Sequence, residues 1–218
     1  MNTSEQAINW KLIVTDNFKT VQDVCISARK RNTLLGIIGF AGAGKTTALE
    51  VYQKNNENTY LVTCARAMKS KQFLVMILAS LDISFLASDY EMSKKIINEL
   101  NNKKGALLII DEASKLSPIA LMYLQDIFDG IEGNSSIVIA GVEYLHDNIK
   151  KSAEKSKVGM PEFFSRVAQW SELSLPTRKE IATLCEVNGI TDEEIIKDIV
   201  KFTNYREVRN RVINIKTA

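Results

Sequence analysis

Apolar residues along this chain fall into five short runs that are separated by longer segments with helical spacing. The runs lie at 34–38, 59–63, 106–110, 136–140 and 172–175, and each has the length of a buried β-strand. Single strands that alternate with helices are typical of a parallel sheet with helices on both faces. We therefore predict an α/β fold with a five-stranded parallel sheet, whose ligand lies at the carboxyl ends of the strands.

The pattern changes after Pro176, where no further strand is indicated. Thr191 and Glu194 have the spacing of a capping box, which marks a helix start. We expect two parts, an α/β core with an N-terminal segment over residues 1–176 and a small helical lid over residues 177–218. The three lid helices are predicted at 177–188, 191–203 and 205–215.

A glycine-rich segment, Gly-Phe-Ala-Gly-Ala-Gly-Lys-Thr-Thr, directly follows the first predicted strand. Its spacing is that of a P-loop, in which glycines let backbone N–H groups face the β-phosphate of a nucleoside triphosphate. A helix that opens near Lys45 adds the positive end of its dipole. Lys45 is expected to reach the β- and γ-phosphates, and Thr46 to offer a hydroxyl to Mg²⁺. The predicted nucleotide-binding residues are Gly39, Phe40, Ala41, Gly42, Ala43, Gly44, Lys45, Thr46 and Thr47.

The third apolar run ends abruptly in two carboxylates, Asp111 and Glu112. An acid at the tip of such a strand is typical of a Walker B motif, so Asp111 is expected to hold Mg²⁺. Glu112, one residue further, can orient or deprotonate a water molecule beside the γ-phosphate. This second acid favours ATP hydrolysis over binding alone.

The composition indicates the compartment in which the protein acts, but it does not identify a partner. The 218 residues are 45% hydrophobic with a net charge of +2, so a nucleic-acid partner must be sought in local patches. Cys25, Cys64 and Cys185 lack the spacing of metal ligands, which favours reduced thiols in a cytosolic protein. The sequence shows no basic apolar leader, and no run approaches the roughly 18 apolar residues that span a bilayer. We expect a cytoplasmic protein without membrane contact.

Four further segments carry a specific resemblance. With the two nucleotide motifs, they make the chain resemble the AAA+ ATPases, and within that class the MuB and TnsC family of DNA-transposition regulators. The likeness covers roughly residues 12–212. The segments are 14–18 ahead of the P-loop, 137–142 as the fourth strand, 163–167 before the fifth strand, and 203–206 in the lid.

The resemblance implies roles for residues outside the two motifs. Thr15 and Phe18 would lie near the adenine, and Arg166 would be the arginine finger that reaches the γ-phosphate of a neighbouring subunit. Arg206 would be the sensor 2 residue, with Arg209 as the competing candidate. Many AAA+ proteins carry a polar sensor 1 residue after the fourth strand, where this chain has Val142.

DNA contacts are expected in the ATPase core, since no helix-turn-helix pattern precedes residue 14. In the resembled family, elements after the second strand line a helical assembly that follows the duplex backbone. Cations there can contact phosphates without reading bases, so binding should tolerate sequence and weaken with salt. The DNA-binding candidates are Arg66, Lys69, Lys71, Lys94 and Lys95.

The resemblance implies a bacterial or phage-encoded, nucleoid-associated ATPase that uses ATP and Mg²⁺. Such a protein forms helical or ring homo-oligomers on double-stranded DNA and delivers target DNA to a transposase, and hydrolysis, stimulated by assembly and DNA, drives disassembly. One alternative is an AAA+ switch or motor that acts on a protein or a replication origin, in secretion, initiation or defence signalling. A small-molecule kinase shares the P-loop but needs an acceptor site.

Overall fold

The computed structural model of the protein describes residues 10–217. Its centre is one five-stranded sheet in the order β2-β3-β4-β1-β5, and all four neighbouring pairs are parallel. The α/β prediction is thus confirmed. The strands are β1 Leu34–Ile38, β2 Thr59–Thr63, β3 Leu107–Asp111, β4 Ser136–Gly141 and β5 Val167–Glu172.

Helices cover both faces of the sheet because neighbouring strand residues point to opposite sides. The helices of the α/β part are α1 Asp16–Arg31, α2 Lys45–Asn55, α3 Ser70–Ser80, α4 Asp89–Asn101, α5 Pro118–Ile131, α6 Tyr144–Glu154 and α7 Met160–Arg166, and a 3-10 helix spans Ala113–Lys115. Ile110 packs into a core beneath α3 to α7, whereas Ile109 packs into a second core beneath α1 and α2.

Three more helices, α8 Arg178–Val187, α9 Glu193–Ile199 and α10 Tyr205–Thr217, follow β5 and enclose a small core of their own. Trp10 and Ile13, far away in sequence, pack against that core. The division of the chain at residue 176 stays a prediction, but the separate apolar core supports it.

Two predicted elements were wrong. The fifth strand was placed at 172–175 but spans Val167–Glu172, because it is an edge strand whose side chains are largely exposed and therefore give no apolar run. The second lid helix was placed at 191–203 with Thr191 as its cap. It begins instead at Glu193, because the Asp192 carboxylate accepts bonds from the backbone N–H groups of Glu194 and Ile195 at 2.9 and 3.1 Å.

Smaller shifts bear on the site. The third strand begins and ends one residue later than predicted, so Asp111 is its last residue. The fourth strand extends by one residue to Gly141. All three cysteines are buried free thiols, as predicted, and none of the helices within residues 10–217 is long and apolar enough to cross a membrane.

Candidate nucleotide-binding site

A cavity of about 490 Å³ opens at the carboxyl ends of β1, β3 and β4, the edge of the sheet that the strand pattern predicts for a ligand. Its walls come from the P-loop, the segment ahead of α1 with Phe18, the residues that follow β3 and β4, and the lid. It is lined by Trp10, Leu12, Ile13, Thr15, Phe18, Ala41, Gly42, Ala43, Gly44, Lys45, Thr46, Thr47, Glu112, Val142, Leu184, Tyr205, Arg206 and Arg209.

The P-loop has the backbone that its glycines permit. Gly42 and Gly44 have φ angles of +87° and +88°, a region that residues with a Cβ rarely adopt. α2 begins at Lys45, so its N-terminus points into the cavity. Of the nine predicted loop residues, Gly39 and Phe40 do not line the cavity, since Gly39 is buried and Phe40 packs against the core beneath α1 and α2.

The Lys45 ammonium is folded back onto the loop. Its Nζ donates hydrogen bonds to the carbonyl oxygens of Gly39 and Phe40, at 2.6 and 3.0 Å. Burial lowers the pKa of Lys45, while the nearby carboxylates of Asp111 and Glu112 oppose that shift. The protein therefore holds a poorly solvated positive charge at the base of the cavity, where a phosphate would be its natural counter-ion.

The Lys45→Met variant lacks this charge. We therefore expect the difference in unfolding free energy between wild type and Lys45→Met to depend on pH. Because burial lowers the pKa of Lys45 in the folded state, the penalty for its charge is fully present below that lowered pKa and disappears as the pH rises. From neutral pH to about pH 9.5, the free energy of unfolding of wild type should therefore rise relative to Lys45→Met. Denaturant unfolding without nucleotide at the two pH values measures this difference.

Lys54→Met is the matched control, because Lys54 lies exposed on the same helix. A stability difference between Lys45→Met and wild type that stays constant over this pH range would contradict the expectation.

Asp111 and Thr46 meet at the floor of the cavity. Asp111 has no exposed surface, and its Oδ2 accepts a hydrogen bond of 2.6 Å from the Thr46 hydroxyl. Its Oδ1 accepts a bond of 2.8 Å from the backbone N–H of Glu112. Burial raises the pKa of Asp111, and these hydrogen bonds oppose the rise. A carboxylate beside a hydroxyl fits Mg²⁺, which prefers one or two protein oxygens and takes its remaining ligands from phosphates and water.

Glu112 lines the cavity with its side chain about one third exposed. Its backbone is left-handed, with φ 57° and ψ 32°, which is uncommon for glutamate and turns the chain sharply after β3. Its carboxylate lies 3.3 Å from the Lys115 ammonium. At the sensor 1 position, Val142 lines the cavity, and its backbone N–H donates to the Ser114 hydroxyl at 2.9 Å.

The segment ahead of α1, residues 10–15, is here called the strap. It forms part of the cavity wall together with the lid, and hydrogen bonds join the strap and α1 to the lid. The Asn188 side chain accepts a hydrogen bond of 2.9 Å from the Lys11 backbone N–H and donates one of 3.0 Å to the Lys11 carbonyl. The Glu180 carboxylate accepts a hydrogen bond of 2.8 Å from the Asp16 backbone N–H. Thr15 and Phe18 line the cavity, and their contact with an adenine stays a prediction. Trp10, Leu12 and Ile13 are wall residues that the sequence analysis missed.

The lid reaches the P-loop directly, since the Tyr205 backbone N–H donates to the Gly42 carbonyl at 3.1 Å. Arg206 and Arg209 both line the cavity. Arg209 lies over the Trp10 ring at 6.0 Å, and the charge of Arg206 contributes to the lowered pKa of Lys45. Arg206 is therefore the lid arginine whose charge acts on Lys45. Leu184 and Tyr205 are further wall residues that the sequence analysis did not identify.

Arg166 does not belong to this cavity. It directly precedes β5, whose first residue pairs with Leu34, so it lies at the amino ends of the strands. A five-residue strand spans about 16 Å, which separates Arg166 from the P-loop edge of its own subunit. Its guanidinium pairs with Asp129, with Nε at 2.6 Å from Oδ1 and Nη2 at 3.2 Å from Oδ2.

The five DNA-binding candidates divide into two groups. Arg66, Lys69 and Lys71 are exposed in the loop after β2 and at the start of α3, and within residues 10–217 none of them forms an ion pair. On α4, Lys94 lies 5.6 Å above the Tyr90 ring, and Lys95 pairs with Glu99 at 2.8 Å. The first group is therefore the more available for phosphates.

Comparisons with known proteins identify relatives that are similar in sequence and solved structures that are similar in fold. The chain is 28% identical over 191 residues to the Mu-like prophage FluMu DNA transposition protein B of Haemophilus influenzae, covering 85% of this chain and 63% of that protein. It is 22% identical over 212 residues to the ATP-dependent target DNA activator B of Escherichia phage Mu, covering 94% of this chain and 66% of that one. The chain thus spans less than two thirds of either relative.

Solved structures with a similar fold include the ORC2 protein of Aeropyrum pernix, with a TM-score of 0.70 at 15% identity over 97% of this chain and 64% of that one. AMPPCP-bound DnaA from Aquifex aeolicus gives 0.61 at 19% identity, over 94% and 63%. A family model described as AAA domain matches residues 28–149. Because that match spans more than half of the chain and contains both nucleotide motifs, the chain belongs to the AAA domain family.

Proposed function

We propose that this protein is an ATPase that binds duplex DNA in its ATP state, assembles there into a homo-oligomer and presents the DNA to a transposase. The observation that carries the proposal is a P-loop cavity with a carboxylate pair in a chain similar over most of its length to transposition protein B. Hydrolysis of ATP then dismantles the assembly.

In this proposal each side chain of the cavity has a task during hydrolysis. ATP places its phosphates against Ala41–Thr47, and the Lys45 ammonium turns from the loop carbonyls to the β- and γ-phosphates. Thr46 and Asp111 would hold Mg²⁺, which would supply positive charge to neutralise the phosphates. Glu112 accepts the proton of the water that attacks the γ-phosphorus, and ADP is the leaving group.

The walls of the cavity bind the rest of the nucleotide. The strap and Phe18 supply apolar and aromatic surface to the cavity, which suits the adenine base. Arg206, whose charge already acts on Lys45, contacts the γ-phosphate as sensor 2 in this proposal. Tyr205 ties this part of the lid to Gly42, so that the lid responds to nucleotide in the P-loop.

Arg166 completes the site of a neighbouring subunit. It lies at the opposite edge of the sheet from its own P-loop, so its guanidinium serves a γ-phosphate only across a subunit interface. Phosphoryl transfer gathers negative charge on the γ-oxygens, and a guanidinium supplied in trans stabilises that charge. Hydrolysis therefore depends on assembly, and a lone subunit turns over slowly.

Duplex-DNA binding with ATP, ADP or no nucleotide, at low and moderate salt, tests the proposal when the complexes are also imaged for filaments. We expect ATP-dependent filaments whose affinity falls steeply with salt. Changing Arg66, Lys69 and Lys71 together to alanine should weaken binding equally on unrelated sequences. If each cation contacts one phosphate, the slope of log affinity against log salt should fall by about 2.7.

The matched control changes Lys54, Lys197 and Lys201 to alanine, which removes the same charge from exposed positions on α2 and α9 and beside α9. If the slope of log affinity against log salt falls equally for this control, the effect comes from the net charge and not from the positions of Arg66, Lys69 and Lys71. Absence of DNA binding in every nucleotide state would reject the proposal and favour a switch that acts on a protein.

A further inference from the structure

The contact between Arg166 and Asp129 links the carboxyl-terminal turns of two helices, α7 and α5. Both side chains are partly exposed, at 40% and 35%, so the pair lies at the surface. Two bonds run in parallel, from Nε to Oδ1 and from Nη2 to Oδ2. The carboxylate therefore fixes the plane of the guanidinium as well as its position.

This arrangement leaves the phosphate-binding edge of the guanidinium available. A guanidinium has five N–H donors, and Asp129 takes one from Nε and one from Nη2. The edge formed by Nη1 and the second N–H of Nη2 points away from Asp129, and its only hydrogen bond within residues 10–217 is a long one of 3.4 Å from Nη1 to the Ser165 hydroxyl. Two phosphate oxygens can bind that edge while Asp129 stays in place.

The charge of Asp129 does not stabilise α5, the helix that contains it. It lies in the last turn of α5, where the helix dipole disfavours a negative charge. Asp126 lies one turn earlier, and burial together with the charge of Asp129 raises the pKa of Asp126. The negative charge of Asp129 is thus unfavourable within α5, and among residues 10–217 its ion pair is with Arg166.

We propose that Asp129 is the positioning residue for Arg166, holding the guanidinium so that its free edge meets the γ-phosphate bound by the neighbouring subunit. The inference rests on the proposed function, since it requires Arg166 to act in trans. Asp129 touches neither nucleotide nor water in the reaction and acts only through Arg166.

Loss of Asp129 should lower turnover without changing nucleotide binding. A free arginine side chain samples many rotamers, and the neighbouring site would have to order it during each catalytic event. We expect Asp129→Asn, which keeps the size of the side chain, to lower kcat of the DNA-bound assembly about tenfold. KM for ATP should stay unchanged, because Asp129 is remote from the cavity of its own subunit.

The experiment measures steady-state ATP hydrolysis by the full chain on saturating duplex DNA. It compares wild type, Asp129→Asn, Arg166→Ala and the double variant, with Asp126→Asn as the control on the same helix. We expect Asp129→Asn to have no effect in the Arg166→Ala background, and Asp126→Asn to keep wild-type turnover. Thermal unfolding and electron microscopy of each variant establish that folding and assembly are intact.

The outcomes separate this inference from the function on which it rests. Wild-type turnover of Asp129→Asn, with Arg166→Ala inactive, overturns the inference and leaves the proposed function standing. An equal loss from Asp129→Asn in both backgrounds also overturns it, because Asp129 would then act independently of Arg166. Wild-type turnover of Arg166→Ala would overturn both the trans role of Arg166 and the inference.

Discussion

Replacing Glu112 with glutamine is expected to lower ATP hydrolysis by about 10² to 10⁴-fold, while ATP binding and assembly on DNA remain. The amide keeps the size and polarity of the side chain but cannot accept a proton from water. Asp111, Thr46 and Lys45, which would hold the phosphates and Mg²⁺, are unchanged. The measurement is single-turnover hydrolysis of bound ATP together with the lifetime of filaments on DNA, which should lengthen as hydrolysis slows.

Glu143→Gln is the matched control for this variant. Glu143 lies at the start of α6, and its charge acts on Lys45, but it does not line the cavity. It should hydrolyse ATP like wild type. A loss of hydrolysis with Glu143→Gln but not with Glu112→Gln would move the general base from the end of β3 to the start of α6.

The Arg166→Ala variant should lose about 10³-fold or more of its hydrolysis in the DNA-bound assembly, the scale typical of an arginine supplied in trans. A dilute, DNA-free protein should change little, because a lone subunit does not use this side chain. Steady-state hydrolysis across a range of protein concentrations, with and without DNA, separates the two conditions. Arg211→Ala removes an exposed arginine from α10 and is the control.

Mixing two inactive variants tests the trans geometry directly. Glu112→Gln subunits have a defective site and an intact Arg166, whereas Arg166→Ala subunits have the reverse. If Arg166 acts across the interface, mixtures should hydrolyse ATP faster than either variant alone. No gain on mixing, in filaments shown to contain both variants, would contradict the proposed site.

The sequence predicts those parts of the site that arise from local structure. The P-loop is a contiguous segment with a fixed spacing of glycines, and Asp111 and Glu112 directly follow the apolar residues of β3. Local sequence patterns also predict the ends of four of the five strands to within one residue. β5 was misplaced because an edge strand with exposed side chains does not require apolar residues.

Contacts between distant segments could not be predicted in this way. Asn188 binds Lys11 across 177 positions, and no periodicity of either segment indicates that the strap and the lid meet. Arg166 and Asp129 are 37 positions apart, on two helices whose packing is decided by the tertiary fold. From the sequence alone, Asp129 would be taken for an ordinary surface acid. Its partner can be identified only when the packing of α5 against α7 is known.

The bonds of the strap bear on how the lid can move. Besides its covalent connection near Pro176, the lid is held by hydrogen bonds from Asn188 to Lys11, from Asp16 to Glu180 and from Tyr205 to Gly42. Since α1 is fixed to the core through Asn17, the six residues from Lys11 to Asp16 form a tether of at most about 17 Å. Movement of the lid away from the P-loop therefore breaks the bond between Tyr205 and Gly42, and the length of the strap limits how far the lid can travel while Asn188 stays bound to Lys11.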